Sequence, residues 1–187
     1  LVETGAFVVV DEAFMDFSSD NQSLISGVGR RTNLIVIKSL TKIYSLAGLR
    51  IGFLIAEDKI VNSFNARVPL WNVNGIAVEM AKRMLSKSCF IEKTRSYIEE
   101  EKKRLLSVFK SYSDKLKCYE SYANFFLCES RFAKDILSFA TKNGFSLRDN
   151  RGFFGLGDSF FRIAVKSHDE NTQLMLMFEN FFKVLGQ

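Results

Sequence analysis

Three short apolar runs in the first third of the chain, each ending in polar side chains, constrain its fold more than any other feature. Phe7-Val-Val-Val10 runs into Asp11-Glu12, Asn33-Leu-Ile-Val-Ile-Lys38 into Ser39-Leu-Thr-Lys42, and Ile51-Gly-Phe-Leu-Ile-Ala56 into Glu57-Asp58. Runs of this length with uniformly apolar centres read as strands buried on both faces. Strands of that kind belong to a sheet covered by helices on each side, so the first part of the chain reads as α/β. Asn21 to Thr32, rich in Ser, Gly and Asn, reads as a loop with one helical turn.

Helical spacing dominates the middle. Glu57-Asp58 open a helix through about Ala66, and Pro69, the only proline, lies in a connection. Asn74 is placed to cap a helix over Ile76–Leu85. Ile91 to about Phe109 reads as a helix long enough to bridge two subdomains. After Ser111 the pattern changes: strands are expected over Lys115–Tyr119, Asn124–Cys128, Phe145–Arg148 and Phe160–Lys166. A helix over Ala133–Lys142 is stopped by Gly144, and a last helix, capped by Asp169, runs through Leu185. The reading is therefore a first domain over residues 1–110 and a smaller α+β domain over 111–187.

Composition narrows the function classes. The 187 residues carry 26 Lys and Arg against 21 Asp and Glu, and 19 Phe supply ample apolar surface for a core. No apolar run approaches the roughly 20 residues of a membrane-spanning helix. A pI near 9.1 admits a nucleic-acid binder, but the basic residues are interleaved with Glu, as in Glu99-Glu-Glu-Lys-Lys-Arg104, which reads as a solvated helix face. His168 is the only histidine, which argues against a histidine triad or a multi-histidine metal site; it reads as a turn residue. Trp71 reads as core or interface packing. Cys89, Cys118 and Cys128 show no metal spacing and read as inert core thiols in a reducing compartment.

The constellation that carries chemistry is Asp11, Ser39, Thr41, Lys42 and Arg50. Carboxylates at the end of a parallel strand lie where open α/β sheets place ligands. Two hydroxyls and a guanidinium fork suit a phosphate dianion. A lysine amine that is partly desolvated near a guanidinium is a competent imine-forming nucleophile. An amine, an anion cup and a remote carboxylate are what a phosphorylated aldehyde cofactor requires.

Val10-Asp-Glu-Ala-Phe14, Ser39-Leu-Thr-Lys42 and Ala47-Gly-Leu-Arg-Ile-Gly-Phe53 together resemble the signature of fold-type I pyridoxal-phosphate enzymes. Within these the chain resembles the histidinol-phosphate aminotransferase branch of the class I/II aminotransferases. The resemblance implies part of the mixed, mainly parallel sheet of a large domain, followed by a small α+β C-terminal domain. It implies pyridoxal 5'-phosphate as cofactor, joined to Lys42 as a Schiff base, with Asp11 on the pyridine nitrogen and Ser39, Thr41 and Arg50 on the phosphate. Many members carry Tyr where this chain has Phe14, which lacks the hydroxyl that would reach the cofactor's 3-oxygen.

Asp-Glu-Ala-Phe-x-Asp-Phe (11–17), Leu-Thr-Lys-x-Tyr (40–44) and Trp-x-Val-Asn (71–74) resemble threonine-phosphate decarboxylase of the cobalamin pathway. By that resemblance Arg162, in Phe160-Phe-Arg162-Ile-Ala-Val, grips the substrate carboxylate. Arg148 either holds the substrate phosphate or is a solvated arginine beside a loop. Asn124 stands at a strand start from which it would position Arg162. The expected activity is decarboxylation of L-threonine O-3-phosphate, with amino exchange of the histidinol-phosphate type as alternative. A non-catalytic fragment or a basic binding module is the rival class. The resemblance further implies a cytoplasmic homodimer acting on a small phosphorylated amino acid or amine, without nucleic acid, membrane or metal. It places this chain as the C-terminal half of such an enzyme, with an exposed sheet edge and little activity when alone.

Overall fold

A computed structural model describes residues 4–20, 22–87 and 89–185; the start of the expected Ser/Gly/Asn loop, Asn21, lies outside them. Contacts divide the chain into two compact units, Leu1–Arg95 and Ser96–Gln187. The division falls inside the long helix α4 (Phe90–Lys110), which the apolar spacing anticipates within a residue at each end.

The first unit is built on three strands in the order β1 (Val8–Asp11), β2 (Leu34–Ser39) and β3 (Gly52–Ile55). β1 and β2 run parallel, with Asp11 beside Ile37, and β3 is antiparallel to β2, with Gly52 beside Ser39. One face is covered: Leu34 and Val36 are buried against Val28 and Ile25, which belong to the 3-10 segment Leu24–Arg30 that closes over the sheet. The other face differs from the expected burial on both sides. Val9 and Ile37 there are 58% and 39% exposed, although Ile35 on the same face is buried. The helices α1 (Leu40–Ile43), α2 (Asp58–Asn65) and α3 (Gly75–Leu85) follow. Asn74 caps α3 as anticipated, its side-chain oxygen accepting the Ala77 N–H at 2.8 Å. Trp71 is not core: it is 92% exposed, with a left-handed backbone at φ 57°.

The second unit is a four-stranded antiparallel sheet, β4 (Lys117–Cys118), β5 (Phe125–Glu129), β7 (Phe160–Ala164) and β6 (Arg148–Asp149), in that spatial order. Period-two burial along β5 and β7 places Phe126, Cys128, Phe161 and Ile163 on the core side. Helices α5 (Ala133–Lys142) and α6 (His168–Leu185) complete it, and their phenylalanines interlock. Phe139 meets Phe181 edge-on at 5.4 Å, and Phe109 of α4 meets Phe178 at 5.1 Å. Gly144 ends α5 at φ 83°, a conformation that favours glycine.

Three local expectations are corrected here. The outer strands β4 and β6 are only two residues long, although their neighbours β5 and β7 each have five. The last helix is capped by Ser167 rather than Asp169. The Ser167 hydroxyl accepts the Glu170 N–H at 3.4 Å while the Glu170 carboxylate accepts the Ser167 N–H at 3.2 Å, the reciprocal pairing of a Ser-x-x-Glu capping box. Third, the charged run in α4 is only partly solvated. Glu99 and Lys103 pair in the open at 2.7 Å, whereas Glu101 and Lys102 are buried.

Candidate functional site

The parallel pairing of β1 with β2 brings their carboxyl ends together, and both ends carry predicted site residues. Asp11 closes β1 on the exposed face of the sheet, and its carboxylate accepts the Ala13 N–H at 2.9 Å. Ser39 closes β2 on the same face and leads directly into α1, whose third residue is Lys42. The Ser39 and Thr41 hydroxyls lie 2.7 Å apart, and the half-buried Lys42 amine donates to Thr41 Oγ1 at 3.1 Å. Among the described residues no carboxylate forms an ion pair with Lys42. The ring centre of Phe14 lies 5.8 Å from Nζ, within the reach of a cation–π contact.

Arg50 reaches the same end of the sheet because β3 starts there. Leu40 N–H donates to the Ile51 carbonyl at 3.2 Å, and Ser39 pairs with Gly52. A side chain at Gly52 would collide with the Lys38 carbonyl, so only glycine permits that approach. Arg50 has a left-handed backbone at φ 49°, as does Ser45 at φ 55°, and these two sparsely populated conformations bracket the loop after Lys42. The Arg50 guanidinium donates to the Ala47 carbonyl at 3.1 Å and is exposed.

A buried ionic cluster on the opposite face holds these strand ends in place, and the sequence reading missed it. Lys38 Nζ lies 2.6 Å from Asp16 and 3.5 Å from Glu12. Glu12 also accepts the Ser23 hydroxyl and the Leu24 N–H, each at 2.7 Å. Every formal charge in the cluster is thus partnered, as buried charges require. Glu12 and Lys38 neighbour Asp11 and Ser39 in sequence, so alternation puts the ionic partners beneath the sheet and the site residues above it. That alternation was the available signal. Tyr44 is buried beside the cluster, stacked on Phe90 at 5.4 Å. Burial, and then the Asp16 charge, raise its phenol above the ordinary range.

Arg148 and Arg162 lie in the second unit and stand directly opposite one another on β6 and β7. The Arg162 guanidinium lies 4.4 Å from the Phe125 ring centre. The Asn124 carbonyl accepts the N–H of Val165, the residue after β7, at 2.8 Å. Like charges facing each other across two strands cost stability in isolation, and the pair forms a cationic platform suited to a multiply charged anion.

The second unit also holds a polar cluster around Glu101, which is 3% exposed. Burial pushes its carboxyl up, but hydrogen bonds from Arg104, Asn171 and His168 outweigh that and hold it at about 2. His168 is therefore more than a turn residue: it opens α6, with Nδ1 2.8 Å from Glu101. Nor are the cysteines a uniform set, since Cys89 is exposed, Cys118 half-buried and Cys128 buried. No helix among the described residues is long and apolar enough to cross a membrane, and none of their His, Cys, Asp and Glu side chains cluster as a metal site would need.

The family model for aminotransferase class I and II matches residues 1–176. The chain belongs to that family. Pyridoxal phosphate is the cofactor associated with it: one solved aminotransferase of this fold, from Sinorhizobium meliloti, is a complex with pyridoxal-5'-phosphate. Among curated aminotransferase relatives, histidinol-phosphate aminotransferase 1 of Legionella pneumophila (strain Lens) is 35% identical over 91% of this chain and 46% of its own length. The adenosylcobalamin biosynthesis bifunctional protein CobDQ of Leptospira interrogans is 33% identical over 93% of this chain and 20% of its own length. The chain thus spans less than half the length of either. The fold agrees: histidinol-phosphate aminotransferase of Clostridium acetobutylicum superposes with a TM-score of 0.85, at 26% identity, over 92% of this chain and 53% of that one. L-threonine-O-3-phosphate decarboxylase of Porphyromonas gingivalis gives 0.81 at 21% identity, over 95% of this chain and 55% of that one.

Proposed function

We propose that the whole protein is a pyridoxal-phosphate enzyme that decarboxylates L-threonine O-3-phosphate, with Lys42 as its imine-forming residue. The observation that carries the cofactor reading is the convergence of Asp11, Ser39, Thr41, Lys42 and the start of β3 at one end of one sheet. The residues fit the group. Hydroxyls 2.7 Å apart and a glycine-dependent approach of the Arg50 segment suit a phosphate, and a lysine without an acidic partner among the described residues is available to form a covalent bond.

When bound, pyridoxal phosphate supplies a ring that accepts electrons from a bond broken at the substrate α-carbon. Ser39, Thr41 and Arg50 hold its phosphate by hydrogen bonds strengthened by charge. The Asp11 carboxylate keeps a proton on the pyridine nitrogen, opposite a cation it stabilises. Lys42 Nζ would be the amine that bonds the cofactor and, once freed, would hold or move the proton at the substrate α-carbon. By the family resemblance Arg162 would bind a substrate carboxylate, and Arg148, facing it on β6, a substrate phosphate. Phe14 packs beside the amine and donates no hydrogen bond to the ring.

Decarboxylation is favoured by the motif likeness around Phe14 and Trp71 and by the cobalamin-pathway relative. Histidinol-phosphate-type amino exchange is the second reading, favoured by curated aminotransferases of similar identity. The two differ in which α-carbon bond stands perpendicular to the ring. The whole protein is proposed to be a cytoplasmic homodimer acting on a small phosphorylated amino acid or amine. Supplied with L-threonine O-3-phosphate it should release carbon dioxide; supplied with histidinol phosphate and 2-oxoglutarate it should not form glutamate. The reverse outcome establishes the second reading. Lys42→Ala should abolish both turnover and the yellow, borohydride-sensitive colour of the cofactor-loaded protein, and a coloured, active variant would end the case for Lys42.

A further inference from the structure

Cys118 and Cys128 stand opposite one another where β4 pairs with β5. Their sulfurs are 3.3 Å apart and both are free thiols. The adjacent pair, Tyr119 and Leu127, is hydrogen-bonded, with Tyr119 N–H donating to the Leu127 carbonyl at 2.9 Å. Hydrogen-bonded and non-hydrogen-bonded pairs alternate along antiparallel strands, so the two cysteines occupy a non-hydrogen-bonded pair. In such a pair the α-carbons are about 4.5 Å apart, inside the range of roughly 4.4–6.8 Å that a disulfide spans. The spacing of such a pair and sulfurs already 3.3 Å apart fit disulfide formation between these strands.

We propose that Cys118 and Cys128 are a redox-responsive dithiol that closes to an intrachain disulfide when the protein meets a low-molecular-weight disulfide such as oxidised glutathione. Cys118 reacts first. It is half-buried, on the edge strand of the sheet, whereas Cys128 has no exposed surface. The Cys118 thiolate attacks one sulfur of glutathione disulfide, forming a mixed disulfide and releasing one glutathione thiolate, which takes up the thiol's proton. Cys128 then loses its proton and attacks the Cys118 sulfur, expelling the second glutathione. Two protein thiols are oxidised and one glutathione disulfide is reduced to two glutathione molecules. The second step is the slower one, since burial and then the neighbouring Cys118 thiol hold the Cys128 thiol protonated.

Closure changes one of the two short edges of the sheet. β4 contributes only Lys117 and Cys118, so the covalent link fastens an edge otherwise held by a two-residue ladder. It also closes the loop between them, which supplies the Ser121 carbonyl that accepts the buried Lys102 amine. β5 pairs in turn with β7, where Cys128 lies opposite Phe161, the residue before Arg162. The link thus stiffens the strand on which the Arg162-bearing strand rests. None of this depends on the cofactor or substrate reading.

The test uses the reduced whole protein, incubated across a series of reduced-to-oxidised glutathione ratios, then alkylated and digested. Trypsin leaves both cysteines in the segment Cys118–Arg131, since no Lys or Arg lies between them. That peptide is expected to lose two hydrogens and to resist alkylation at both sulfurs, while Cys89 remains alkylated or carries glutathione. Cleavage after Glu120 should then yield two peptides joined until a reductant is added. Cys118→Ser should leave Cys128 alkylatable after unfolding at every ratio; if that variant does not fold, the unmutated chain still decides. Both sulfurs remaining alkylatable under full oxidation, with an unchanged circular-dichroism spectrum, would overturn the proposal. So would oxidation that appears only as Cys89-linked dimers.

Discussion

Glu101 is the residue whose electrostatics most affect stability in the second unit. Its carboxyl is held at about 2 against an ordinary 4.5 by donors on both α4 and α6. A depressed carboxyl adds stability that is fully present above its unfolded value, and that is lost as pH falls from about 4.5 towards 2. A shift of this size corresponds to at most about 3.4 kcal/mol. Glu101→Gln should therefore cost roughly 2–3 kcal/mol near neutral pH, with the difference from the unmutated chain shrinking below about pH 4. Urea unfolding near pH 7 and near pH 3 measures it, and a difference independent of pH would refute the electrostatic assignment. Nothing local marks Glu101 as special, because its partners Asn171 and His168 lie 70 and 67 residues away. In its own segment it is one of three consecutive glutamates.

At the scale of elements, the register of β3 on β2 decides whether the residues proposed to hold a phosphate share one end of the sheet. Gly52 sits against the Lys38 carbonyl, so a methyl group there must push the strands apart. Gly52→Ala should destabilise the first unit by about 1–3 kcal/mol, the usual cost of overpacking, and weaken cofactor binding by the whole protein more than an exposed control such as Gly29→Ala. Cofactor titration combined with thermal unfolding checks both effects, and unchanged values would show that the close approach is not required. The motif Ala47-Gly-Leu-Arg-Ile-Gly-Phe53 was legible as a small-residue stretch, but the reason for its glycine became visible only with the antiparallel pairing. The Ser167 cap is legible too, as Ser-x-x-Glu before an apolar run. The short edge strands β4 and β6 are not, because propensity over a few residues does not tell how much of an apolar run pairs in the sheet.

For the whole molecule, the face of the first sheet that carries Asp11 and Ser39 also exposes Val9 and Ile37. Exposed apolar surface of this kind marks a contact surface or an aggregation liability. Val9→Lys in the 187-residue chain should change stability by less than about 0.5 kcal/mol, as for other exposed positions, while lowering the fluorescence of a dye that reports apolar surface. Undiminished dye binding would show that the apolar surface lies elsewhere. The sequence by itself determined the strand-ending motifs, the helical periods and the family, because those depend on side-chain order over a few residues. The fitness of Asp11, Ser39, Thr41, Lys42 and Arg50 for a phosphorylated aldehyde was legible for the same reason. Tertiary structure alone decided the ionic cluster of Glu12, Asp16 and Lys38, the Glu101 network, the facing arginines and the facing cysteines. Each of these joins groups from separate elements, and their partnership is set by strand register and helix packing, which distant parts of the chain determine together.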